Sequence, residues 1–488
     1  MESANSSHPV IEGALAFAAT AALLYFGNGL NPIWPLMWIA PLPVLWFALR
    51  SSWPGAALVA GLAWFIGPLN LWHYLHILGL PFTVWLGGFG SAALLFALAV
   101  LLYRSLVLRG APWTALLALP AAWVTFEYLR NLSWPHGTAG CLGYSQLRFL
   151  PFLQTASLTG PWGMDFVLLL FPAGIAIALH LRGTAPRQSG RILVATLGTV
   201  AMLLIFGAIR LAIPQPGPKV RVGLVAADKY TPPAGPATLQ LTQRYAAQAQ
   251  YLASRGAQAI VLPEKLGTIT DSTLAATDQV LQQVATQTGS TIVAGFDSET
   301  PAAAYNQARV YRPHAAVATY DKEHMLPPFE LRFTPGTSLL LLHNASDIRG
   351  VAICKDMDFT QLSRKYGRAR AGLMLVPAWD FNIDRVYHGH MAIMRGVADG
   401  FSVARAAKFG LLTVSDDRGR VLAERRSDSA PFATLIAQVP AGHNWTLFQL
   451  LGDWFAWLAI ALLFWAVFRQ IQLVKSPQSH RSAAALSA

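Results

Sequence analysis

Long apolar blocks alternate with short polar breaks over the first half of the chain. A membrane-crossing helix needs about 20 mostly apolar residues, and the blocks predict spans at Ile11–Phe26, Trp34–Leu49, Gly55–Trp72, Phe82–Tyr103, Pro112–Tyr128, Gly163–Leu181 and Ile192–Ile213. An eighth is predicted at Leu450–Phe468. The first two are short, and the second holds Pro35, Pro41 and Pro43, so tilting, kinking or partial insertion is expected there. Ile11–Phe26 has the length of a signal-peptide core, but Glu2 and Glu12 with no preceding Lys or Arg lack the positive start, so it is expected to be retained.

Between Lys219 and Asn444 the pattern changes to short β-branched runs alternating with helical spacing. Strands are predicted at Val220–Val225, Ala259–Leu262, Thr291–Phe296, Tyr305–Tyr311, Val317–Asp321, Leu339–His343, Ile348–Ile353 and Leu373–Val376, and near Ser402, Leu411, Val421 and Thr434. Helices are predicted at Thr238–Arg255, Leu274–Thr288, Phe359–Ala371 and Gly389–Asp399. Such alternation with continuous apolar strands is that of a layered α/β domain. The TPPAGPA segment after Tyr230 and PPFELRFTPG after Leu326 read as loops, and the only low-complexity segment is the Ser/Ala-rich tail after Lys475. The expected organisation is a seven-span region over residues 1–215, an α/β domain over 219–444, an eighth span over 450–468 and a tail over 469–488.

Composition agrees with a chain that lives largely in lipid: 54% of its 488 residues are hydrophobic, 12% are charged, and the mean hydropathy is +0.41. The net charge of +12 forms no dense run or stripe, which argues against nucleic acid as a partner. Arg50, Arg104, Arg109, Arg182, Arg187, Arg191, Arg469, Lys475 and Arg481 fall in alternate loops and the tail, whereas the opposite loops carry only Arg130 and Arg148. Because short basic loops resist translocation, both termini are expected in the cytoplasm and the α/β domain on the outer face, the periplasm of a two-membrane bacterium. Glu127, at the end of the fifth span, is expected to pair with Arg130 one turn on. The loop from Leu129 to Trp162 is rich in Trp, Tyr, Gly and Pro and reads first as an aromatic interfacial belt, second as a substrate-guiding loop.

Three chemistry-bearing residues each follow a strand-like run: Glu264 after AIVLP, Lys322 after AVATYD and Cys354 after GVAI. Layered α/β domains gather their sites at strand ends. A thiol needs a base or a cation to become a nucleophile, and Glu264 and Lys322 would supply both. Taken singly, Cys354 reads as a small buried hydrophobe, Glu264 as a loop carboxylate and Lys322 as a solvated charge. Their joint occurrence points to acyl transfer. Two cysteines, Cys141 and Cys354, make neither a disulfide framework nor a metal motif.

With these residues in place, the chain resembles the bacterial apolipoprotein N-acyltransferase family, whose soluble part belongs to the nitrilase, or carbon-nitrogen hydrolase, superfamily. The similarity rests on PEKLG around Glu264, on YDKEHMLPPFE with Lys322, His324, Pro327 and Glu330, on VAIC ending at Cys354, and on GYSQ at Gly143–Gln146 with the LQTASLTGPWGMDF that follows. It implies a multi-span α-helical membrane domain plus a nitrilase-like αββα sandwich, in a monomeric protein of the inner membrane. It also implies a thioester reaction without cofactor or metal. Cys354 would take an acyl chain from a phospholipid, most simply phosphatidylethanolamine, and pass it to the amino terminus of a diacylglyceryl-cysteine lipoprotein. Glu264 would be the base, Lys322 the oxyanion stabiliser and Glu330 an orienting residue.

The family usually places Tyr and Glu after the nucleophile, where this chain has Lys355 and Asp356, and Glu where it has Asp399. A second cation at Lys355 would favour thiolate or mark a different acyl acceptor. His388 and His390 read as solvated or satisfied histidines, and Trp379 and Phe381 as core before acyl path. Two rival functions remain at this level: a membrane-tethered amidase or nitrilase with water as acceptor, and a lipid- or lipoprotein-binding protein with a vestigial triad.

Overall fold

The computed structural model describes residues 8–230 and 236–475. The expected loop at 231–235 and the tail beyond Lys475 lie outside them. The chain divides into two compact units, one drawn from Met1–Arg130, Trp162–Leu203 and Asp453–Ala488, the other from Asn131–Pro161 and Leu204–Gly452.

The first unit is helical. Among the described residues six helices are long and apolar enough to cross a membrane: Pro9–Gly27, Trp53–Ile77, Phe82–Leu108, Pro161–Leu181, Pro186–Ala212 and Trp454–Lys475. The eight-span expectation is therefore not reproduced. The segment expected as a second span is two short helices, Trp34–Ile39 and Leu42–Ala48, with Pro41 between them lacking the N–H that a continuous helix would use. The expected fifth span is a helix, Pro112–Ser133, but Thr114, Thr125, Glu127, Arg130 and Asn131 dilute its hydropathy. Glu127 does pair with Arg130. Alanines let the helices approach: Ala60, Ala63, Ala93 and Ala97 are buried, beside a Trp64–Phe96 ring stack at 3.6 Å.

The second unit is two sheets between two layers of helix. Its strands run β1 (Lys219–Ala226), β2 (Ala259–Val261), β3 (Thr268–Thr270), β4 (Thr291–Glu299), β5 (Ala304–Tyr311), β6 (Ala318–Asp321), β7 (Leu340–His343), β8 (Ile348–Val351), β9 (Leu373–Trp379), β10 (Ser402–Lys408), β11 (Leu411–Ser415), β12 (Val421–Arg426) and β13 (Ala433–Pro440). One sheet has the order β13-β1-β2-β4-β5-β6 with β3 on β4; the other runs β12-β11-β10-β9-β8-β7. The parallel pairs are β1 with β2, β2 with β4, β3 with β4, β8 with β9, and β9 with β10.

Strand side chains alternate between faces, and burial follows that period. Leu224, Val261, Val293, Val351, Leu375, Ala404 and Leu412 meet in one cluster between the sheets. Their neighbours Val225, Ile260 and Ile292 turn outward onto Leu241, Tyr245 and Leu281 of the helices Pro236–Ser254 and Asp271–Thr288. Met374, Val376 and Val403 likewise turn onto Leu362, Tyr366 and Ala392 of the helices Thr360–Arg368 and Arg385–Asp399. The result is an αββα sandwich whose central strands are apolar on both faces, as the continuous apolar runs require.

Candidate active site

Glu264 follows β2 by three residues, in a segment that lies directly against β4. A Cβ on Gly295 of β4 would sit 2.6 Å from the Cα of Glu264, so only glycine leaves room for the backbone there. The Gly295 N–H donates to the Pro263 carbonyl at 3.0 Å, and the Glu264 N–H to Ala378 of β9 at 3.3 Å, fixing the carboxylate between the two sheets. Lys322 follows β6 and is anchored on both sides: its N–H donates to Asn306 at 2.9 Å, and its carbonyl accepts from Gly336 at 2.8 Å.

The charged groups interlock. The Lys322 ammonium donates to Oε1 of Glu264 at 2.9 Å and to Oε2 of Glu330 at 2.7 Å. Asn306 of β5 bridges the same two carboxylates, 2.6 Å from Glu264 Oε1 and 2.7 Å from Glu330 Oε1. Glu330 also takes the Leu326 N–H at 2.8 Å and the Lys265 ammonium at 2.6 Å. Burial favours its neutral form, but Lys322 and Lys265 outweigh it and hold the carboxyl at about 2. Burial likewise opposes the charge on Lys322, yet Glu264 and Glu330 push its pKa well above the ordinary lysine value. Oε2 of Glu264 takes no hydrogen bond from any described residue.

Cys354 is half-buried and stands at φ +44, just beyond β8, where it opens a tight turn over Cys354–Asp358. Positive φ is uncommon for a residue with a Cβ and turns the side chain sharply out of the strand direction. Its Sγ lies 3.4 Å from the Trp379 carbonyl and 4.0 Å from Nη2 of Arg405. Burial, and then the charge of Glu264, push the thiol well above its usual range, while Lys322 and Arg405 pull the other way. The resting sulfur is therefore a thiol.

Lys355 and Asp356 have different surroundings. Asp356 is fully buried and holds two segments together: Oδ1 accepts from the N–H groups of Glu323 and His324, at 3.2 and 2.9 Å, and lies 3.1 Å from His324 Nδ1. Its Oδ2 accepts from Tyr320 at 2.8 Å and from the Ile353 N–H at 3.1 Å. Lys355 places its ammonium 3.1 Å from Nδ1 of His136. Burial lowers its pKa to about 8, against the pull of Asp358, and burial with Lys355 beside it lowers His136 to about 3.

His136 belongs to the Trp-rich loop, whose residues 131–161 are part of this unit. The belt reading does not describe its centre: Leu142–Gln146 is a buried turn of 3-10 helix. Thr138 donates from both its N–H and its hydroxyl to the Asp358 carbonyl, at 3.2 and 2.8 Å, and a Cβ on Gly137 would lie 2.7 Å from that oxygen. Tyr144 meets Arg395 at 2.5 Å and Thr138 at 2.6 Å. The loop thus clamps the turn that carries Cys354.

Several polar residues near the thiol carry no motif of their own. Arg405 of β10, fully buried, donates to both oxygens of Asp380, at 2.9 and 2.5 Å. Its position between the buried apolar pairs Val403–Ala404 and Ala406–Ala407 is the signal that could have found it, since a buried guanidinium requires a carboxylate. Asn306 gave no such signal. His388 is a satisfied histidine, 3.6 Å from Asp358 and 3.3 Å from Asp384, whose charges overcome burial and raise it to about 10. His390 is lowered to about 4 by burial and Arg148. Asp399 is buried and accepts from Ser363 at 2.6 Å. Trp379 lies under the Lys408 ammonium at 4.6 Å, and Phe381 lies 5.5 Å from Phe329; both are half-buried. Both cysteines are free, and no group of His, Cys, Asp and Glu among the described residues is arranged to hold a metal ion.

Two family models match this chain. The family model described as apolipoprotein N-acyltransferase N-terminal domain matches residues 14–174, and that described as carbon-nitrogen hydrolase matches residues 221–441. An apolipoprotein N-acyltransferase of Geobacter metallireducens is 27% identical over 474 residues, covering 88% of this chain and 89% of its own. One of Vibrio vulnificus is 24% identical, with 92% of this chain and 95% of its own covered. Among solved structures, an amidase from Nesterenkonia is 22% identical with a TM-score of 0.40, covering 46% of this chain and 92% of its own.

Proposed function

This chain belongs to the apolipoprotein N-acyltransferase family, membrane transferases with a carbon-nitrogen hydrolase domain, and from that premise we propose how its residues carry out lipoprotein N-acylation. The donor is a membrane phospholipid, with phosphatidylethanolamine the simplest choice, and the acceptor is the α-amino group of a diacylglyceryl-cysteine lipoprotein. The observation that carries the assignment of roles is the Lys322 ammonium held by Glu264 and Glu330, which leaves its third N–H for an oxyanion, in the same unit as the Cys354 thiol.

Glu264 is the base. Its Oε1 is occupied by Lys322 and Asn306, so Oε2 takes the Cys354 proton as the sulfur attacks the ester carbonyl. Lys322 stabilises the oxyanion, helped by the backbone N–H that follows Cys354. Collapse breaks the ester C–O bond, and the proton on Glu264 goes to the departing lysophospholipid oxygen. The lipoprotein amine then attacks the thioester, Glu264 takes a proton from its nitrogen, and collapse forms the amide and returns the proton to sulfur. Glu330 holds Lys322 in place, Asp356 fastens the Lys322 loop to the Cys354 turn, and Lys355 adds a cation beside the nucleophile.

The distribution of Arg and Lys among the short loops supports an inner-membrane protein with both termini in the cytoplasm and the catalytic unit in the periplasm. We take it to act as a monomer. The test is mass spectrometry of the purified protein: phospholipid should leave an acyl adduct on Cys354 that is absent in Cys354→Ala, and a diacylated lipopeptide should discharge it as a triacylated product. Discharge to free fatty acid with the lipopeptide unchanged would overturn the transferase reading.

A further inference from the structure

Lys265, immediately after Glu264, is built into the site more tightly than a surface lysine. Its backbone stands at φ +52, a region that residues with a Cβ seldom occupy. That conformation returns the side chain under the carboxylate cluster, where the ammonium lies 2.6 Å from Oε1 of Glu330 and 5.1 Å over the ring of buried Phe333, with only 16% of the side chain exposed. Glu330 is consequently filled on both oxygens, Oε1 by Lys265 and Asn306, Oε2 by Lys322 and the Leu326 N–H. A carboxylate so occupied has no lone pair directed at the thiol.

We propose that Lys265 is a positioning residue: it locks Glu330 as a charged, fully bonded partner of Lys322, so that the Cys354 proton has Glu264 as its destination. The two lysines neutralise the two glutamates, and without Lys265 the cluster carries an uncompensated negative charge beside the sulfur. The other charged groups facing this ammonium are Asp297 of β4 and Arg332, which bond each other at 3.1 Å. Burial raises Asp297 to about 6, against the pull of Lys265 and Arg332. Loss of Lys265 therefore leaves Glu330 and Asp297 holding protons to higher pH and places the uncompensated charge of the cluster near the Cys354 thiol.

The experiment reads the thiol directly, because alkylation needs no lipid or lipoprotein and so stands apart from the transferase reading. The full-length protein in detergent is treated with iodoacetamide across a pH series, and carboxamidomethyl-Cys354 is quantified by peptide mass, separately from Cys141. Lys265→Met should move the profile upward by about one pH unit, the low end for loss of a neighbouring charge, and Lys265→Arg should return it. In a Glu330→Gln background the same Lys265→Met change should produce a much smaller shift, since there is no carboxylate left to lock. An unchanged profile in Lys265→Met, or an equal shift in both backgrounds, overturns the proposal. If Lys265→Met does not fold, failure of Lys265→Arg to keep the wild-type profile overturns it as well. Failure of acyl transfer with these shifts intact would instead count against the transferase reading.

Discussion

The N–H of His324 donates to Oδ1 of Asp356 at 2.9 Å, and this bond joins the loop carrying Lys322 to the turn carrying Cys354. Asp356 also receives Glu323, Tyr320 and Ile353, so its removal would orphan buried donors on both segments at once. Hydrogen bonds to a charged acceptor contribute about 1.5–3 kcal/mol each, less what the segments recover by relaxing. Asp356→Ala is expected to cost about 3 kcal/mol of stability. It should also slow thioester formation more than tenfold, because cation and sulfur lose their common anchor. Thermal denaturation in detergent and single-turnover acylation check the two effects. An unaltered acylation rate would show that the segments are held by something else.

Gly295 packs against Glu264 with no space for a methyl group, since an added Cβ would fall 2.6 Å from the Glu264 Cα. Gly295→Ala must push the Pro263–Lys265 segment away from β4. A displacement of under an ångström changes the reach of Glu264 Oε2 to the thiol, and general-base catalysis contributes about 10²–10⁴-fold. The expected outcome is at least a tenfold loss of acylation rate with the secondary structure kept by circular dichroism. Wild-type rates in this variant would mean the base tolerates movement.

The sandwich was legible because its central strands, such as β2, β4 and β9, are apolar runs buried on both faces, and the breaks between runs fall at turns. β3 was missed: three residues with two threonines, Thr268–Thr270, give no pattern to read. The strand ends announced Glu264, Lys322 and Cys354, whereas Asn306 and Lys265 enter the site through pairings that are distant in sequence or set by one unusual φ. The docking of residues 131–161 on the Cys354 turn was equally hidden, since aromatic content reports a preference for interfaces and says nothing of which surface is met. In the membrane unit, hydropathy found the apolar blocks, but the number of continuous helices depended on Pro41 and on the polar residues of Pro112–Ser133.

Arg405 and Asp380 are both buried and bond through two parallel contacts, at 2.9 and 2.5 Å. Burial keeps Asp380 above the ordinary carboxylate value even beside the guanidinium. Arg405→Met strands that carboxylate, and breaking one side of a buried pair costs about 3–5 kcal/mol. Arg405→Lys should recover only part of this, because an ammonium cannot reproduce the planar fork. Melting temperatures of the two variants should therefore rank below wild type, with Met lowest. A Met variant as stable as wild type would show that the pair contributes nothing net.

Lys355 makes stability depend on pH in a direction opposite to that of an ion-paired lysine. Burial lowers its folded-state pKa to about 8 from an unfolded value of 10.5. Between those values the unfolded chain binds more protons than the folded one, so stability rises with pH across that window. Below about pH 8 both states are charged, and the full burial cost of about 3 kcal/mol is present, as an upper figure from a shift of this size. Lys408, lowered to about 8 by burial, contributes a slope of the same sign, so the variant Lys355→Met serves as the reference. At pH 7 that variant should be more stable than wild type, and the difference should shrink as pH rises from about 8 to 10.5. The measurement is chemical denaturation in detergent at matched pH values. A constant difference between the two proteins across this range would show that Lys355 is not held in the lowered state.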